Sequence, residues 1–182
     1  MTSPSPTPTS RRRLSGHGLS VDLAAPWEGR IYLRPTSTAA YTSPQARASA
    51  GVPGGALGWA GETQSPVLHL ANFALPGGRG DFGTGAVERM TASHAFIALL
   101  EFGQAEAGSA LFASEGLPEP TPEEFDPNGL QKRLAGQAGY QRFFTLNGRP
   151  MCLYVVVGAA SRLRSTIPEV NRTLTSISVE PA

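Results

Sequence analysis

The stretch of this sequence with the most capacity for chemistry is Gly78-Arg79-Gly80-Asp81-Phe82-Gly83. It matches G-x-G-x-x-G, the turn whose glycines let a backbone approach the pyrophosphate of a dinucleotide at the start of a helix. An acidic residue, Glu101, follows roughly twenty positions on, where such sites hold a ribose. Three features oppose this reading. Asp81 brings negative charge to the phosphate position, Pro76 interrupts the strand-to-turn junction, and the helix-like stretch after the loop is too short for a crossover. A surface loop is the plainer reading. The tripeptides Arg79-Gly80-Asp81 and Asp81-Phe82-Gly83 also occur in integrin ligands and kinase metal loops. Neither has its context here, since no export signal is evident and no His-Arg-Asp or partner lysine accompanies them.

Other groups with acid–base or nucleophilic capacity are few. His17, His69 and His94 lie at no metal-binding spacing, and no His-Glu-x-x-His or Gly-x-Ser-x-Gly occurs. In Leu68-His69-Leu70 the imidazole points away from the leucine face, which predicts a hydrogen-bonded or helix-covered histidine on the far side of a sheet, in preference to a general base. Cys152, the single cysteine, excludes an intramolecular disulfide and a cysteine zinc site. Its apolar neighbours predict a raised thiol pKa and a packing role. Arg162 and Arg164 read as a solvated connector. Trp27 and Trp59 could together build an apolar platform; the other readings are core packing for Trp27 and, for Trp59, pinning of its loop to the domain.

These residues need elements to hold them. The 182-residue length suits one domain. Gly 21 and Pro 16 make up about a fifth of the chain, against about 12% in average usage, which implies long loops on an ordinary core. Net charge is +1, so nothing global points to nucleic acid, and no apolar run reaches the roughly 18 residues of a membrane span. The arginine-rich composition, with Lys132 the sole lysine, suggests a bacterial source. Arg11, Arg12 and Arg13 lack the apolar run that follows the basic region of a secretory signal, so a cytoplasmic, unanchored protein is expected.

Residues 1–13 read as a Ser/Thr/Pro-rich disordered tail whose basic triplet could touch an acidic partner. Residues 14–182 read as a single domain with a long flexible loop at 35–65. Alternation in Leu19, Val21 and Leu23 predicts a strand, with Gly29 to Arg34 as its hairpin partner, Ile31 and Leu33 inward. Val67 to Phe73 is a strand and Thr84 to Met90 a short helix. His94 to Phe102, apolar on both faces, is a central strand. Asp126-Pro127 opens a brief helix closed by Gly136 and Gly139. Tyr140–Leu146 and Arg149–Val157 form a hairpin about the Asn147-Gly148 turn. Thr166 caps a last helix with Ile167, Val170 and Leu174 at helical spacing, and Ile177 and Val179 make a final strand. The expected fold is α+β: an antiparallel sheet of about six or seven strands with helices packed on it.

The opening Gly18, Ser20, Leu23, Pro26 and Trp27, and the closing Val155-Val156-Val157, helix, Ser176 and short strand, resemble the PsbP-like α+β superfamily. The resemblance spans about residues 18–34 and 140–181, and the segment 35–65 departs from it. It implies a non-enzymatic binding or assembly factor without cofactor or catalytic residues. The expected function is therefore protein–protein interaction, with Arg79, Asp81 and Phe82 as exposed contacts on the loop Gly77 to Gly85. The competing expectation is a dinucleotide-binding enzyme or sensor using Gly78–Gly83.

Overall fold

A computed structural model describes residues 11–34 and 65–182. The expected loop at 35–65, Trp59 included, falls almost wholly outside these residues, as does most of the expected tail. Among the described residues, eight strands form two antiparallel sheets, with one α-helix. The first sheet has the order β1-β2-β8, from β1 (Arg11–Gly16), β2 (Leu19–Ala24) and β8 (Ile177–Val179). The second has the order β3-β4-β5-β7-β6, from β3 (Glu28–Leu33), β4 (Pro66–Ala71), β5 (Ala95–Glu101), β6 (Ala138–Leu146) and β7 (Arg149–Val157). The α-helix, α1, is Leu163–Leu174. The α+β character and antiparallel pairing are as expected, while the single sheet of six or seven strands becomes two sheets.

The centre of the larger sheet follows from composition. β5 and β7 lie side by side, β7 is buried along its whole length, and only Glu101 of β5 is less than fully buried. Continuous apolar strands of this kind need cover on both faces. On one face Ile97, Leu99, Leu153 and Val155 join Leu19, Val21 and Leu23 of β2 and Ile167, Val170 and Leu174 of α1. On the other, Phe96, Ala98, Leu100 and Val156 are covered by loops bearing Phe82, Val87, Met90, Leu130 and Leu134. Strand alternation thus divides this segment, with Phe96, Leu100 and Phe102 opposite Ile97 and Leu99. Where β1 and β2 cross β3 the chains come close. A Cβ on Gly29 would lie 2.9 Å from Leu70 and 3.0 Å from Leu14 and Leu23, so a side chain there would part the sheets.

Several local expectations are corrected. Arg11 to Arg13 belong to β1, because His17 (φ 53°) and Gly18 (φ 74°) form a two-residue turn that pairs Arg11–Gly16 with β2. β3 is not the partner of β2. Both edges of β2 are taken, by β1 and β8, and β3 pairs with β4 in the other sheet. The helix expected over Thr84 to Met90 is only a 3-10 turn, Val87–Arg89, since Gly83 (φ 83°) and Gly85 (φ 92°) break the helical path. Asp126-Pro127 starts no helix. The Asp126 carboxylate accepts from the Asn128 amide at 2.7 Å, and its backbone exchanges hydrogen bonds with Gly139 on the edge of β6. Thr166 is no cap, because α1 begins at Leu163 and holds Pro168 early enough to lose a single backbone bond. The Asn147-Gly148 hairpin and β8 form as expected.

Candidate functional site

Arg79, Asp81 and Phe82 come together with Tyr32, Arg34 and His69 on the loop-covered face of the larger sheet. β4 places His69 there beside Val67 and Ala71, and β3 places Tyr32 next to it. The chain between β4 and β5 then folds back over the sheet. Its seating is apolar first: Phe82 meets the ring of Tyr154 edge-on at 5.4 Å. Gly83 lies so close to Phe96 that a Cβ would stand 2.4 Å from the ring, and its positive φ disfavours any side chain.

The polar contacts fix the loop's register. Arg79 Nε donates to His69 Nδ1 at 2.7 Å. A guanidinium has hydrogens and no acceptor, so Nδ1 must offer its lone pair, and the imidazole proton resides on Nε2. That proton is donated to the Asp81 carbonyl at 2.7 Å. The Asp81 carboxylate accepts from the Tyr32 hydroxyl at 3.0 Å and faces Arg34 Nε at 3.9 Å. The Arg79 guanidinium lies over the Tyr32 ring, 5.6 Å from its centre, and also donates to the Pro76 carbonyl.

Electrostatics follow from burial. His69 has no exposed surface, and its pKa falls to about 4, chiefly through burial, with the Arg79 charge acting in the same direction. At neutral pH it is an uncharged imidazole with both nitrogens engaged. Burial, followed by the Asp81 charge, raises the Tyr32 phenol well above its ordinary range. The arrangement can hold a loop against a sheet. To act as a general base, His69 would first have to release Arg79.

Arg79, Asp81 and Phe82 are thus half-buried and turned toward the sheet, not exposed as expected from a glycine-rich loop. What the loop presents outward is Gly77, Gly78, Gly80 and Thr84, followed by Glu88 and Arg89. The glycine motif also lacks a phosphate cradle's geometry. The amides of Gly80 and Gly83 donate to the Thr84 and Gly80 carbonyls, and that of Gly85 donates to Glu88. The loop joins neighbouring antiparallel strands, and Glu101 is paired with Arg149.

The remaining candidates lie apart. His94 Nδ1 accepts the Thr91 amide at 3.0 Å, and its ring stacks on Phe73. His17 occupies the β1–β2 turn. Among the described residues, no group of three or more His, Cys, Asp or Glu could hold a metal. No helix among them is long and apolar enough to cross a membrane. Depressions of about 310 Å³ beside Gln137 and about 420 Å³ between Pro120 and α1 share no residue with the cluster. Trp27 is partly buried against the core. Cys152 is fully buried, and burial pushes its thiol up to about 12. Iodoacetamide should therefore leave Cys152 unmodified in the native protein and label it in urea; comparable labelling rates in both states would show that β7 opens readily.

Sequence reasoning missed Tyr32 and Arg34. The signal was present: in β3 Tyr32 lies on the face opposite Ile31 and Leu33, the same face as His69. It could be used only once β3 was known to pair with β4. No family model matches the chain, and no curated protein or solved structure matches it either.

Proposed function

We propose that this protein is a non-enzymatic accessory or assembly factor that acts by binding another protein. The observation that carries this reading is the engagement of both His69 nitrogens, by Arg79 and Asp81, in holding the Gly77–Gly85 loop. Side chains that could have performed acid–base work instead fix the shape of a surface. The contact surface is the outer side of that loop, with Gly77, Gly78, Gly80 and Thr84 outward and Arg79, Asp81 and Phe82 setting their positions. The order β7, α1, β8 supports the PsbP-like reading drawn from the sequence.

The test uses positions where added bulk leaves the fold alone. A Cβ at Gly77 or Gly78 meets nothing within 4 Å. A photo-crosslinking residue at Gly78 should yield a discrete protein adduct in the cells that make this protein. Gly77→Arg should remove the adduct without lowering Tm. Absence of any adduct, or micromolar binding of nicotinamide or flavin dinucleotides by calorimetry, would favour the dinucleotide reading instead.

A further inference from the structure

Among the described residues, the outer edge of β1 combines unpaired backbone with concentrated charge. In the β1–β2 hairpin the two-residue turn His17-Gly18 makes Gly16 and Leu19 a hydrogen-bonded pair, and pairing then alternates. Leu14 and Arg12 therefore bond to Val21 and Leu23, whereas the N–H and C=O groups of Ser15, Arg13 and Arg11 point away from β2. The other side of β2 confirms the phase, since the Asp22 amide and the Gly18 carbonyl bond to Ser176 and Glu180 around β8. Among the described residues, no backbone bond reaches Arg11, Arg13 or Ser15 from outside.

Charge and side-chain direction complete the picture. Arg11, Arg12 and Arg13 are all exposed, and among the described residues only Arg13 has an acidic partner, Asp22 at 3.7 Å. Arg11, Arg13 and Ser15 share the outer face of the sheet with Asp22 and Ser20. A strand laid along this edge would set its alternate side chains beside Arg11 and Arg13, within reach of cross-strand pairing.

We propose that the outer edge of β1 docks an extended acidic segment of a partner protein, which adds to the smaller sheet as a fourth strand. Main-chain bonds to Arg11, Arg13 and Ser15 supply the attachment, and acidic residues at every second position select the segment. The proposal rests on the reading that the protein binds another protein, and it names a second surface, distinct from the Gly77–Gly85 loop.

The probe is a short, end-blocked peptide of alternating Glu and Thr, added to the full-length protein. Amide exchange followed by NMR should slow about tenfold or more at Arg13 and Ser15 when the site is filled. Leu14, already bonded to β2, should not change. Arg11→Glu/Arg13→Glu should weaken binding about tenfold, from two reversed exposed pairs. The same peptide with adjacent central Glu and Thr amides both N-methylated keeps its charge, loses a donor toward β1 in either strand orientation, and should bind more weakly. Binding without protection of these amides, or equal binding of the N-methylated peptide, would overturn the proposal. So would protection that grows with protein concentration alone, because a second copy would then occupy the edge. Any of these results leaves cross-linking at Gly78 untouched, so the two readings fail separately.

Discussion

Arg149→Ala should destabilise the protein by about 3–5 kcal/mol, the range for removing one partner of a buried ion pair. Arg149 opens β7 directly after the Asn147-Gly148 turn and is only 7% exposed. Its guanidinium pairs with Glu101, the last residue of β5. It also donates to the carbonyls of His17 and Gly18 at 3.1 Å and of Glu180 at 3.4 Å. One side chain therefore ties the β1–β2 turn and the segment after β8 to the end of the larger sheet. Truncation strands the Glu101 carboxylate and leaves three carbonyls without this donor. Arg149→Lys keeps the charge but has no planar fork to reach several acceptors, so it should recover only part of the loss. Arg149→Met with Glu101→Gln removes the stranded charge and should recover more than Arg149→Ala alone. Urea denaturation measures all three. A loss under about 1 kcal/mol for Arg149→Ala would mean that the two sheets hold together without it.

Acid should weaken the fold through His69, well before most carboxylates titrate. The histidine has an ordinary pKa of 6.5 when unfolded and about 4 in place. In that window the unfolded chain binds the extra proton, so stability falls with falling pH. The contribution is present above about pH 6.5 and is lost as pH drops toward 4. A shift of this size corresponds to about 3 kcal/mol. Protonating Nδ1 also removes the acceptor of Arg79 and sets two cations against each other, so the Gly77–Gly85 loop should be the first part to loosen. His69→Phe removes this pH slope. It should also lower stability at neutral pH by about 1–3 kcal/mol, because Arg79 and the Asp81 carbonyl lose their partner. Denaturation curves at pH 4.5 and 7.5 for both proteins isolate the effect as the difference between their slopes. Equal slopes would show that His69 is open to water in the native state.

The strands were the legible part of this fold because their signal is local. Alternation in Leu19, Val21 and Leu23, the unbroken apolar run of β7, and the Asn147-Gly148 turn each specify an element without help from distant residues. Partners were less legible. β2 and β3 are consecutive, so adjacency suggested a hairpin, yet the edge of β2 goes to β8 at the far end of the chain. Residue types do not encode that competition. The helix misassigned at Asp126-Pro127 has the same origin. Asp with Pro favours a helix start, but a bridge to Gly139 claims the same backbone groups.

At the candidate site the types were read correctly and their directions were not. Glycine-rich composition implied that Arg79, Asp81 and Phe82 face solvent. Tertiary partners draw them inward instead: His69 for Arg79, Tyr32 for Asp81, and Tyr154 for Phe82. For His69 the alternation of β4 specifies the far face and leaves open a hydrogen-bonded or a helix-covered ring; the ring is hydrogen-bonded, and a loop covers it. Arg149 drew no notice, because an arginine beside a turn reads as solvated until the opposing turn and the C-terminal segment are brought against it.

The state of His69 decides between a ring that holds a surface in shape and a ring available for chemistry. Long-range ¹H–¹⁵N spectra of the imidazole, recorded between pH 4 and 8, read that state directly. The expected result is a neutral ring with its hydrogen on Nε2 across the neutral range, titrating only near pH 4 and moving together with the Gly77–Gly85 amides. A ring that titrates near 6.5, or carries its hydrogen on Nδ1, would contradict it.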